Sequence, residues 1–197
     1  CGSVAFDSDG RIVTVCVGLD RPVLAILDPV TLETIAAMPL PPRRADGGNP
    51  FTDFSGGGYF YLDHKDRAVL PTTEGHLYTV AVRGDSLELV SDIDLTPEIG
   101  NGKVISVLPD WKNRIWFATK DGVVGWTDRR GTIVSRDVGE VISNSFAVGQ
   151  GAGVFIVTDA AMYRFEAGAG GSGEPEIVWR KAYPNTGTKK PGQTSEG

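Results

Sequence analysis

Apolar runs of four to seven residues alternate with tight polar turns along the chain, and the runs fall into groups of four. The first turn of each group lies in Phe6–Ile12, Leu62–Ala68, Leu108–Ile115 and Val148–Val154. The last residues of these segments stand at 12, 68, 115 and 154, at intervals of 56, 47 and 39. Val and Ile dominate the runs, with Gly, Asp and Pro at their ends, which is the signature of strands rather than helices. No segment sustains a helical period.

The strands predicted for the first group are Ser3–Phe6, Ile12–Val17, Val23–Asp28 and Thr34–Leu40. The second group gives Tyr59–Asp63, Ala68–Thr72, His76–Val82 and Leu87–Ile93. Val104–Leu108, Ile115–Thr119, Val123–Thr127 and Thr132–Val138 form the third, and Ser145–Val148, Val154–Thr158, Met162–Glu166 and Glu176–Trp179 the fourth. A repeat of four strands near ~40–50 residues is the period of a propeller blade. The expected fold class is therefore all-β, a β-propeller of four-stranded antiparallel blades with about four blades present, at 3–40, 58–95, 103–138 and 144–183. Residues 184–197 read as a connection or tail that stops where a fifth innermost strand would open. Two readings stand: four blades of a six- or seven-bladed ring completed by a missing segment or a second chain, or a complete small four-bladed domain. Gly168–Gly173 reads as a flexible turn between third and fourth strands.

Composition narrows the partners. The 197 residues carry a formal net charge of −6, and no Lys/Arg block stands out, which argues against nucleic acid. No run approaches the ~18 apolar residues of a membrane-spanning helix. The chain begins on Cys1, beside a strand, as a processed or cut end would. If Asp7–Gly10 closes a hairpin, pairs sum to 17 and Cys1 faces Cys16, at a Cβ separation slightly beyond the usual disulfide range. A disulfide there favours an extracytoplasmic home, secreted or periplasmic. Cys16 as a small buried hydrophobe, and Cys1 as a lipidated start, remain alternatives.

In a propeller, the outermost-to-innermost connections and the second-to-third strand turns share one face. The residues entering the innermost strands there are Asp53, Asn101 and Asn144. Equivalent positions in a radial repeat converge, and converging carboxylate and amide oxygens suit Ca²⁺, which takes ~6–8 oxygen ligands. Glu98 and Glu140 lie near enough in sequence to add charge as a second shell, and His76 stands among acids in the second-to-third strand turns with Asp20, Glu74, Asp121 and Asp159. The competing reading is that Asn and Asp close loops by bonding their own backbone, and that His76 is a strand-entry residue. Two histidines cannot build a four-histidine iron cage, and Ser145 lacks a nucleophile elbow. Trp116 and Trp126 lie inside strands and are expected to pack between blades, whereas Trp111 sits in a turn as an exposed stacking candidate. Arg43 and Arg44 are a solvated pair or an anion contact.

The segment Asn144–Asp159, with its Asn-x-hydrophobic-Ala-Val start and Thr-Asp end, resembles the gluconolactonase, paraoxonase and strictosidine-synthase-like six-bladed propellers. The cadence of Val4–Val15, and third strands that end in Asp-Pro, are similar to these and to quinoprotein-like bacterial repeats. The resemblance implies a calcium-dependent lactonase or related hydrolase with Asn144 as a ligand, and Asp53 and Asn101 as further ones. The family's acidic residues on the first blade and late in the chain are not matched, nor is a quinone-stacking Trp. Two other functions compete: a non-catalytic propeller that binds a small molecule, glycan or protein on its loop face, and a polysaccharide-active enzyme using Asp53 and Glu98 as paired carboxylates.

Overall fold

A computed structural model describes residues 1–43 and 55–185. Among the described residues, sixteen strands form four four-stranded antiparallel sheets, each running in chain order. Residues 1–95 and 96–197 are two compact units.

The first unit holds β1 (Val4–Phe6), β2 (Ile12–Cys16), β3 (Val23–Leu27) and β4 (Thr34–Pro39), then β5 (Tyr61–Leu62), β6 (Arg67–Pro71), β7 (His76–Arg83) and β8 (Ser86–Asp94). Its core joins the two sheets through Val13, Val15 and Leu24 of the first and Ala68, Leu70 and Val80 of the second. The period-two alternation places these side chains on one face.

The second unit opens with a single helical turn, α1 (Thr96–Ile99). Its third sheet is β9 (Val104–Pro109), β10 (Ile115–Thr119), β11 (Val123–Thr127) and β12 (Ile133–Asp137). The fourth is β13 (Ala147–Val148), β14 (Val154–Val157), β15 (Ala161–Ala167) and β16 (Pro175–Ala182). Trp116 and Trp126 are buried in the core that joins these two sheets, with Ile156, Tyr163 and Phe165 opposite. Phe117 turns to the other face of β10, over Gly125 of β11. A Cβ at Gly125 would stand 2.2 Å from the Phe117 ring and 2.6 Å from the Val134 carbonyl, so only glycine fits beneath it.

One device shapes the first turn of three sheets. Asp7, Asp63 and Asp110 each accept two backbone N–H groups on Oδ1, at the second and fourth residues on. Each Oδ2 accepts Nε of the Arg four residues later, at 2.8, 2.8 and 2.6 Å for Arg11, Arg67 and Arg114. The residue between, at Gly10, Asp66 and Asn113, has φ of 79°, 52° and 64°. Gly, Asp and Asn are the residues that enter this left-handed region most readily. For Asp63, burial pushes the carboxyl up, but the Arg67 guanidinium and the backbone N–H bonds outweigh it and hold it at about 2. The fourth sheet replaces the pair with Gly149 and Gly153, which close the turn by a backbone bond of 2.8 Å.

The same device changes the register expected for the first hairpin. Asp7 N–H donates to the Arg11 carbonyl, so the loop closes on residues 7 and 11. Val4 then pairs with Thr14, Ala5 with Val13 and Phe6 with Ile12, one residue away from the pairing expected from a four-residue turn. Cys1 and Cys16 are nonetheless disulfide-bonded, across the open end of the hairpin rather than from directly opposed positions.

The glycine-rich turn at 168–173 also departs from expectation. Gly171, Ser172 and Gly173 donate backbone N–H groups to the Gly168 carbonyl. Arg114 Nη1 donates to the Gly171 carbonyl at 2.8 Å and Trp126 Nε1 to the Gly173 carbonyl at 3.1 Å, so the turn is pinned by the neighbouring sheet. In the first unit Arg11 Nη1 makes the matching contact to the Gly84 carbonyl, at 2.6 Å.

Candidate functional site

In the second unit, the β10–β11 turn lies between two connections. Thr119 Oγ1 accepts the Val123 N–H at 2.9 Å, and Gly122 at φ 104° completes the turn. Lys120 N–H donates to the Lys103 carbonyl on one side, and Ile142 N–H donates to the Lys120 carbonyl on the other. A Cβ at Gly122 would meet the Glu140 carbonyl oxygen at 2.6 Å, so the second connection needs glycine to lie this close.

This packing leaves an open recess of about 350 Å³ lined by Asn101, Gly102, Lys103, Lys120, Asp121 and Val141. The Asp121 carboxylate lies against Gly102, its oxygens 3.0 and 3.3 Å from where a Cβ would stand. Asn101, Lys120 and Asp121 are exposed, and Lys103 is partly buried. Two ammonium groups and one carboxylate give the lining a net positive character within a chain whose overall charge is −6.

The sequence-derived candidates have these places and partners among the described residues. Asn101 lines the recess. Asn144 is half-buried at the bend before Ser145, whose Oγ lies 2.8 Å from the buried Ser106 Oγ. Asp53 and Arg44 lie outside the described residues. Glu98 accepts Ser135 Oγ at 2.8 Å. Glu140 accepts Thr158 Oγ1 at 2.5 Å and Arg180 Nη2 at 2.7 Å, while Arg180 Nε also donates to Tyr163 Oη at 2.9 Å. Burial alone would raise the Glu140 carboxyl, but the bonds from Thr158, Arg180 and Tyr163 and the Arg180 charge hold it below the usual range. His76, at the start of β7, places Nδ1 2.7 Å from Asp92 of β8 and so turns toward the outermost strand of its sheet. Arg43 reaches the Gly18 carbonyl through Nε.

These engagements bear on the expected calcium. Among the described residues, the recess offers one carboxylate and one side-chain amide, with Lys103 and Lys120 beside them. A cation needing ~6–8 oxygens is poorly served by that set, and two ammonium groups oppose a dication. No group of three or more His, Cys, Asp or Glu side chains gathers at metal-binding distances among the described residues. The lining of this recess therefore does not fit the ion.

Lys103 immediately precedes β9 and Lys120 immediately follows β10, positions where a lysine in the sequence reads as a solvated charge. Their shared position, one on each side of a connection–turn pair, was the available signal.

No protein-family profile and no curated protein matches the chain. Solved structures do. Virginiamycin B lyase from Staphylococcus aureus superposes with a TM-score of 0.63 at 10% identity, over 88% of this chain and 53% of the lyase. A candidate 6-phosphogluconolactonase from Bacteroides fragilis gives 0.66 at 13%, over 90% of this chain and 53% of its own. The Cps50 (Swd1) β-propeller domain from Myceliophteria thermophila gives 0.59 at 9%, over 91% and 57%. The chain thus spans about half the length of these structures. What it shares with them is the fold, a β-propeller-like array of four-stranded antiparallel sheets.

Proposed function

We propose that this chain is a non-catalytic binding propeller whose recess at Asn101–Lys103 and Lys120–Asp121 takes a small anionic molecule, such as a phosphorylated or acidic sugar. The observation that carries this reading is the pair of lysines flanking Asp121 in an open recess of about 350 Å³. Charge-assisted bonds from ammonium groups suit carboxylate or phosphate oxygens. The Asn101 amide and the Asp121 carboxylate can take hydroxyl groups. Glu140 and Glu98, expected to add charge near a metal, have partners of their own: Glu140 accepts Arg180, and Glu98 accepts the Ser135 hydroxyl.

Similar folds carry catalytic and non-catalytic names alike, so fold does not decide between them. A calcium-supported lactonase is the second reading, and it rests on Asn144, Asn101 and Asp53. A further segment or a second chain completing a longer ring belongs to both readings. The Cys1–Cys16 disulfide supports an extracytoplasmic setting.

Titration with glucose 6-phosphate, set against glucose, tests the anionic recess. The wild type should prefer the phosphate, and K103A/K120A should lose about tenfold or more in affinity, since each bond to a charged group contributes about 1.5–3 kcal/mol. Equal binding of the two sugars, or an unchanged affinity in the double variant, would contradict the reading.

A further inference from the structure

Trp111 lies at the opposite end of β10 from the recess, in the β9–β10 turn. It is 74% exposed, the most exposed aromatic side chain among the large hydrophobic residues on the described surface. Its indole is not loose. Nε1 donates to the Gly149 carbonyl at 3.0 Å, so the ring edge is tied to the first turn of the next sheet. That turn carries glycine at 149, 151 and 153, and a Cβ at Gly149 would meet the Phe155 ring at 2.9 Å.

The first unit shows what this position needs structurally. Ser8 follows Asp7 as Trp111 follows Asp110, and Ser8 also bridges to the next sheet's first turn. Its N–H donates to Asp66 Oδ1 at 3.1 Å and its hydroxyl donates to Asp66 Oδ2. A hydroxyl therefore makes the bridge in one unit, and the other unit makes it with an indole whose ring is surplus to the task.

We infer that Trp111 is a stacking platform for a neutral oligosaccharide. A pyranose with equatorial hydroxyls presents a flat C–H face to an aromatic ring, and its rim needs hydrogen-bonding groups. The exposed neighbours are Lys112, Asn113 and Gln150, which can serve hydroxyls. A protein-docking patch would instead surround the ring with apolar surface. The tether fixes the ring before binding, so little rotamer freedom is lost when a sugar stacks. This site is separate from the recess and does not rest on the recess reading.

Cellohexaose and chitohexaose are the probes, with binding read by calorimetry and by the change in tryptophan fluorescence. The wild type should bind at least one of them. W111F should stay within about threefold, and W111S should lose about tenfold or more, a difference near 1.4 kcal/mol. W111S, which restores the serine used in the other unit, should keep its melting temperature within a few degrees, and K103A/K120A should bind the sugar normally. Wild type that binds neither sugar, or W111S that binds like wild type, would overturn the inference. A collapse of the melting temperature in W111S would also overturn it, because the ring would then be structural.

Discussion

Replacing Asp110 with alanine is expected to lower the melting temperature by about 10 °C. The Asp110 side chain is fully buried and accepts four bonds, from the Lys112 and Arg114 N–H groups, Arg114 Nε and Trp116 Nε1. Alanine leaves the Arg114 guanidinium, only 8% exposed, without its carboxylate. Removing one partner of a buried pair costs about 3–5 kcal/mol, and a chain of this size loses about 2–4 °C per kcal/mol. Arg114 also spans to the Gly171 carbonyl and lies 5.5 Å over the Trp126 ring, so the loss should spread into the fourth sheet. The double variant D110A/R114A should be less destabilised than the two single losses added together, since the orphaned charge is gone. Thermal unfolding by circular dichroism measures both. A D110A protein that melts with the wild type would mean that the clamp is decorative.

Breaking the Cys1–Cys16 disulfide should have the next largest effect. β1 has only three ladder pairs to β2, and Val4 and Phe6 on it are exposed, so little else holds that strand. The bridge closes a loop with a sequence separation of 15 residues, for which the chain-entropy estimate is about 3 kcal/mol. C16S, or reduction of the wild type, should lower the melting temperature by about 6–12 °C. Hydrogen exchange should show the loss locally, with the Gly2 N–H, bonded to the Val15 carbonyl, losing protection first. Equal stability of oxidised and reduced protein would contradict this.

The strands were legible because local chemistry agrees with the fold at each of them. Val123–Thr127, for example, is a short run ending in Thr-Asp and bounded by Gly122 and Gly131, and no helical pattern competes with it. What the sequence concealed depends on partners far along the chain. The glycine turn at 168–173 looks unconstrained until Arg114, 57 residues earlier, and Trp126, 47 earlier, reach its carbonyls. The first-hairpin register slipped because the Asp7–Arg11 clamp closes a five-residue loop. The Asp–x–x–x–Arg spacing in three turns was the visible sign of that loop.

The site was legible in its location more than in its residues. Loop-end logic leads to Asn101 and Asp121, which line the recess, but it says nothing of Lys103 and Lys120. It also gathered acids by sequence proximity. Glu140 is expected from the sequence to add charge in a second shell, and in the structure it accepts Arg180, 40 residues later. A count of carboxylates near one end of a propeller cannot see which of them already hold a guanidinium.

The most direct measurement is a calorimetric titration of the wild type with glucose 6-phosphate, run once in calcium and once in excess chelator. If Lys103 and Lys120 hold the anion, the two titrations should give the same affinity. Binding that appears only with calcium would contradict the lysine recess and return the chain to the metal-dependent hydrolase reading.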